Sequence, residues 1–230
     1  MKRVRIGLDI LGFFLLAFNY LMILVFIFSK WPKYWEHINY EYSHLTWLSS
    51  LNLILISLFC FLAYILEATP VKKTKLLGWF QQNLLGFLSA GFLLLALDEK
   101  FQIHEKLRER IFIPNQVGTD IPGIGAGDFL HLFIAILGLS ISYFIYQKFK
   151  GIRLSQYFFI GALLSGLGSV LMDVTSPVIR NDSELSPSEL QASIDHQFIE
   201  ELIEINAIIF FLMAFYLLFS FRLKNKSMES

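Results

Sequence analysis

Acids and imidazoles gather at four points of this 230-residue chain. The stretch Leu97-Asp98-Glu99-Lys100-Phe101-Gln102-Ile103-His104-Glu105 closes one apolar segment, and Gly127-Asp128-Phe129-Leu130-His131 opens the next. Met172-Asp173-Val174-Thr175 closes another, and the run from Asp195 through His196, Glu200 and Glu201 to Glu204 opens the last. Carboxylates crowded together need protons, a Lys or Arg partner, or a metal to neutralise them. Lys100, Lys106, Arg108 and Arg110 lie outside the apolar zone, which leaves a divalent metal as the economical partner for the deeper acids. Histidine with carboxylate is a ligand set for zinc or iron.

Two metal geometries fit these residues. A mononuclear zinc site draws on His104, His131 and His196, with Asp128 and Glu204 as further ligands. Zinc held by three protein ligands ionises a bound water near neutral pH. Asp98, Asp173 and Glu200 are then the catalytic acids, orienting ligands or carrying protons. A dinuclear carboxylate site is the second geometry, since Asp128-x-x-His131 resembles the Glu-x-x-His pairs of bundle di-iron sites and Glu201-x-x-Glu204 adds bridging acids. No second such pair stands in the four clusters, so zinc is preferred to di-iron.

The elements that position these groups are read from hydropathy. A membrane helix needs about 20 mostly apolar residues. Six segments qualify, at about 4–29, 45–67, 84–103, 128–147, 156–175 and 201–221. Helices satisfy their own backbone in lipid, so the expected fold is all-α: one integral membrane domain over 1–230, built on six transmembrane helices. The first segment follows Lys2, Arg3 and Arg5 but is too long for a signal peptide and has no cleavage site after it. Ser186-Pro187-Ser188-Glu189 is a capping box with proline at the first helical position, which starts a helix near Pro187 that runs on into the sixth span. The third span continues through Lys106 and Arg110 until Pro114 stops it.

Helical spacing brings the polar groups onto shared faces. Asp128, His131, Ala135, Gly138 and Ser142 follow i, i+3 and i+4 steps. Gly161, Ser165, Ser169 and Asp173 recur every four residues, and small residues so spaced let membrane helices pack closely. His196, Glu200 and Glu204 form a second such row, and Asp98 and Glu105 share a face with Gln102 between them. At about 1.5 Å rise per residue, Asp98, Asp128, His131, Asp173, Glu200 and Glu204 occupy a slab on the order of 10 Å thick.

Composition excludes other classes. The chain is 55% hydrophobic and 17% charged, against about 25% charge in soluble domains, and its mean hydropathy is +0.57. A soluble enzyme, a disordered tail and a nucleic-acid binder are excluded. Cys60 stands alone and makes no internal disulfide. The 19 basic and 19 acidic residues cancel, yet they sort by side. Basic residues before the first span, between spans two and three, between four and five, and after the sixth fall on one side, which is cytoplasmic by the positive-inside rule. That side carries twelve basic and three acidic residues, net +9, and the other carries seven and sixteen, net −9. Both termini are then cytoplasmic, and all five histidines lie on the outer side.

Structural roles compete for several of these residues. His37 and His44 stand among Trp31, Trp35, Tyr40, Tyr42 and Trp47, an interfacial aromatic belt. Glu105 and Glu109 pair with Arg108 or Arg110 on a solvated helix at even odds with function, and Asp195 reads as an ordinary surface acid. For the deeper six groups, function outweighs structural pairing.

The Leu-Asp-Glu-x-x-x-x-His-Glu stretch from Leu97 to Glu105 resembles one found in uncharacterised bacterial polytopic membrane proteins, which implies a multi-pass protein of the bacterial inner membrane. A weaker resemblance is to the alkaline ceramidase and adiponectin-receptor superfamily of membrane metal hydrolases. It implies zinc on His104, His131 and His196 with an acid such as Asp98 or Asp173. The chain departs from that pattern with six spans for seven and His196-x-x-x-Glu200 in place of His-x-x-x-His.

The function expected from these observations is a metal-dependent, hydrolase-like membrane enzyme acting on a lipid or amphiphilic substrate at the outer leaflet. Its partners are the bilayer and that substrate. A cation- or proton-coupled transporter is the first alternative, but Asp9, Asn19, Asn52, Gln81, Gln82, Asn83 and Asn206 form no clear path across the inner half. A non-catalytic protein responsive to pH or metal through its outer histidines is the second.

Overall fold

The computed structural model describes residues 2–39, 43–67, 76–112, 114–115, 117, 128–175 and 186–229, with the backbone alone described at 2–5, 76–77, 105, 108, 128–132, 173–175 and 228–229. Within them the chain is helical: α1 (Lys2–Ser29), α2 (His44–Glu67), α3 (Leu76–Phe101), α4 (Ile103–Leu107), a π-helical turn (Arg108–Phe112), α5 (Asp128–Lys148), α6 (Arg153–Thr175) and α7 (Pro187–Glu229). No strand occurs among the described residues.

Among the described residues five helices are long and apolar enough to cross a membrane: Ile6–Ser29, His44–Glu67, Gly78–Phe101, Arg153–Met172 and Pro187–Ser227. The expected fourth span falls on α5, whose apolar part among the described side chains, Phe133–Lys148, is shorter. α2 and α7 are the central pair. Their apolar windows are 56% buried, against 22% for α1, α3 and α6. α3 packs on α2, α6 packs on α7, and α2 against α7 joins the two hairpins. The buried core includes Leu45, Ile56 and Cys60 of α2, Ile209, Leu212 and Phe215 of α7, and Phe149 and Phe159.

Polar residues inside the bundle are spent on holding helices together. Asn52 Nδ2 donates to Asn19 Oδ1 at 2.6 Å, both side chains being buried. Ser50 and Ser57 of α2 donate to the carbonyls of Ala96 and Ser89 on α3, and Ser155 of α6 donates to Ala214 on α7. Tyr20 and Ser165 both bond Asn206. Such bonds average about 0.6 kcal/mol each in membrane bundles. Asn19, Asn52 and Asn206 therefore act in packing between helices.

Two departures from expectation concern helix continuity. α3 starts at Leu76, well before residue 84, because Asn83 is accommodated inside it: its Nδ2 donates to Trp79 O and its Oδ1 accepts from Tyr64. At its other end α3 does not run on to Pro114. Gln102 has φ 50 and breaks it, so Asp98 and Glu105 do not share one continuous helical face. By contrast α7 does begin at Pro187. Glu189 accepts the Ser186 N–H at 2.8 Å while Ser186 Oγ receives the Glu189 N–H at 3.4 Å, a reciprocal cap.

The expected small-residue seams divide. On α6, a Cβ at Gly161 would lie 2.7 Å from Phe210 of α7, and Ser169 is buried. On α5, a Cβ on Gly138 meets no atom of the described residues within 4 Å, and Ser142 bonds its own helix at Leu139 O.

Candidate functional site

At the C-terminal end of α3 the chain folds back on an aspartate. Phe101 is the last residue of α3 and Gln102, buried at 6% exposure, takes the left-handed conformation. A non-glycine residue there costs free energy and needs a compensating contact. Asp98 supplies it, because its Oδ1 accepts the His104 backbone N–H at 2.8 Å. Its other oxygen, Oδ2, lies 2.9 Å from His104 Nδ1. The turn thus delivers an Asp–His pair, about a quarter exposed on each side chain. Lys106 Nζ donates to Phe101 O at 2.7 Å and satisfies the helix end.

The bond also sets the imidazole chemistry. A neutral histidine donating from Nδ1 to a carboxylate has its lone pair on Nε2. That arrangement, carboxylate behind imidazole, is the one metal-binding histidines use. Nearby, Lys100 Nζ lies 3.3 Å over the Trp47 ring, which fixes the end of α3 to the start of α2.

The register of the helices gives the level of the other expected residues. Phe92 of α3 contacts Phe211 of antiparallel α7 at 5.9 Å between rings. Counting about 1.5 Å per residue from that contact, Asp98 and Glu204 stand at nearly the same depth, with Glu200 about a turn further out. Gly168 of α6 lies beside Ile203 of α7, so the backbone of Asp173 reaches the level of residues near 198. His196, Glu200 and Glu204 are on one face of the unbroken α7; the first two are half-buried and Glu204 is exposed. Asp128 and His131 fall in the first turn of α5, and their side chains, like those of Asp173 and Glu105, lie outside the described residues. Among the described residues no three His, Cys, Asp or Glu side chains converge to hold an ion.

The α1–α2 loop at the same end holds groups that spacing alone did not single out. Asp195 accepts hydrogen bonds from Tyr34 and, at 2.7 Å, from Gln191, so it is a tied acid and not a plain surface one. The Asp195 carboxylate raises the Tyr34 phenol above its usual value, chiefly by that hydrogen bond. Asn39 donates to Ile194 O and its own carbonyl accepts from Gln197, clasping α7 from both sides. No local pattern signals a contact between residues 161 apart.

His37 and His44 are more than belt members: their rings meet edge to face at 4.2 Å. Burial holds His37 below its ordinary value of 6.5, with His44 and Lys30 adding to the depression. The sign follows. Below 6.5 the unfolded chain binds the proton first, so stability falls as pH drops through that value and levels off once the folded His37 has titrated. Thermal midpoints at about pH 7.5 and 5.5 should differ less in His37→Gln than in the parent.

Helices of this length and apolarity around a polar end define an all-helical, multi-helix class. The chain belongs to the family described as Domain of unknown function (DUF8692), which matches residues 12–218. No curated protein and no solved structure matches it. The ceramidase-like resemblance accordingly finds no support in those comparisons.

Proposed function

We propose that this chain is a multi-pass membrane protein with six spans and both termini cytoplasmic, whose outer end is a metal-dependent hydrolase site for a lipid or amphiphile. The membrane reading is supported by what the bundle leaves outside. Phe13 is 74% exposed, Leu94 66%, Leu164 66% and Phe133 62%, and large apolar faces of this kind are stable in lipid but not in water. The bacterial inner membrane is the compartment proposed.

The Asp98–His104 pair carries the functional reading. His104 Nε2, His131 and His196 are the proposed histidine ligands, with Asp128 and Glu204 as the carboxylates that complete the set. A divalent cation, zinc before di-iron, would supply an ionised water there. Asp98 holds the imidazole in its tautomer, and Asp173 and Glu200 accept and return protons. A transport pathway is disfavoured because Asn19, Asn52 and Asn206 are consumed in bonds between helices.

Metal analysis of the full chain purified in mild detergent tests the proposal. The expected result is stoichiometric zinc, lost in His104→Ala without loss of the folded state. Absence of stoichiometric zinc, iron and manganese from the parent would sink it. The membrane reading has its own test, retention of the chain in the membrane pellet after alkaline carbonate.

A further inference from the structure

The opposite end of the bundle carries a second polar site. Glu67, at the end of α2, receives Lys148 of α5 at 2.8 Å and Arg222 of α7 at 3.2 Å. These two cations, held in place by one carboxylate, form part of the wall of a cleft of about 260 Å³. Lys150, Asn225 and Lys226 line it as well. Lys150 and Lys226 are exposed and have no carboxylate partner among the described residues. No acidic side chain is in the lining among the described residues. Four cations thus face one cleft, and Glu67 neutralises part of only two.

A second observation concerns the Arg222 guanidinium. Arg222 Nε is buried yet has no hydrogen-bond partner among the described residues. Glu67 Oε2, 3.2 Å from Nη2 of the same guanidinium, is likewise without a hydrogen bond among the described residues, so Glu67 satisfies Arg222 only in part beside the cleft. The cleft is also amphiphilic. Leu66, Leu218 and Phe221 share its walls with the cations, which matches a phosphate attached to an apolar body.

We infer that this cleft binds a phosphate group, supplied by the headgroup of an anionic phospholipid in the leaflet on the side of the termini. The lipid source rests on the membrane reading above; the phosphate chemistry rests only on the cleft. Basic pockets between helices on the cytoplasmic side are suited to such headgroups. This site is separate from the Asp98–His104 end of the bundle and has no role in the chemistry proposed there.

The full chain in nonionic detergent is titrated with dioctanoyl phosphatidylglycerol, dioctanoyl phosphatidylcholine and inorganic phosphate. Native mass spectrometry and thermal midpoint are the readouts. Saturable binding of phosphatidylglycerol, without phosphatidylcholine or free phosphate, supports the lipid headgroup. Saturation by inorganic phosphate that displaces the lipid supports the same site with a soluble phosphate as its ligand and removes the lipid assignment. Lys150→Ala with Lys226→Ala should weaken binding about 30-fold, equivalent to about 1 kcal/mol for each lysine. Both side chains are exposed, and Lys150→Gln with Lys226→Gln makes the same change of charge if the alanine pair does not fold. Lys30→Ala at the opposite end is the control and should leave affinity unchanged. Equal binding of parent and double variants, or no saturation by either phosphate ligand, overturns the inference. Extraction of the chain into the soluble carbonate fraction would instead overturn the membrane reading, and the two failures are read separately.

Discussion

At the proposed zinc site, Asp98→Asn should lower the affinity of the purified chain for zinc by about 10- to 100-fold, the range for losing a carboxylate behind a metal-binding histidine. The substitution is nearly isosteric, so the loss comes from proton placement. In the parent, one Asp98 oxygen takes the His104 backbone N–H at 2.8 Å and the other lies 2.9 Å from Nδ1. Asparagine has one oxygen to offer. If that oxygen keeps the backbone N–H, the amide NH2 faces Nδ1, which must then accept, and the ring proton moves to Nε2. The lone pair proposed to bind metal is gone. If the amide turns over, NH2 opposes the His104 backbone N–H and the turn at Gln102 loses its compensating bond. The first orientation is cheaper, since a lost hydrogen bond at a quarter-exposed site costs about 1 kcal/mol. Chelator competition gives the affinity, and nitrogen NMR of the imidazole gives the tautomer. A merely structural Asp98 would move the thermal midpoint and the ring proton but leave the zinc affinity unchanged. Unchanged affinity with a changed tautomer would remove His104 from the ligand set.

The reasons some features were readable from sequence, and others not, are physical. The capping box at Ser186 and Glu189 is a local interaction across three residues, and α7 begins where it says. Charge sorting was readable because the ion pairs follow it. Glu67, Lys148 and Arg222 meet at one end, as do Asp9 and Lys224. The break at Gln102 was not readable. Leu97 to Glu105 holds no glycine or proline, and glutamine is a good helix former. What ends α3 is capture of the His104 N–H by a side chain six residues back, and that competition is settled by tertiary packing. Tyr34 with Asp195, and Asn39 with α7, depend on where a loop lands. For the site, only the relative levels of Asp98, Glu200 and Glu204 could be counted from helical rise. The pairing of Asp98 with His104 was not readable, since it needs the turn that the sequence pattern hides.

The small-residue rows pose the sharper test, because two look alike in sequence and differ in surroundings. Gly161→Leu should destabilise the bundle by about 2–3 kcal/mol, the upper part of the range for overpacking. A Cβ at position 161 would lie 2.7 and 2.9 Å from two atoms of the Phe210 ring. That ring is itself held edge to face against Phe158 at 5.6 Å. Helix α6 cannot simply step back, because it is pinned to α7 on both sides of Gly161. Ser155 bonds Ala214 O at 2.7 Å below, and Ser165 meets Asn206 at 3.2 Å above. Relief therefore requires Phe210 to leave its site or α6 to separate from its largest neighbour. At Gly138 of α5 an added Cβ meets no atom of the described residues within 4 Å, so leucine has room to enter there. Leucine is a better helix former than glycine by somewhat under about 1 kcal/mol, so this variant should match or exceed the parent. Denaturant or thermal unfolding in one detergent compares the two directly. The reverse order would mean that α5, and not α6, makes the close helix contact, and would undo the α6–α7 register from which the depth of Asp173 is counted.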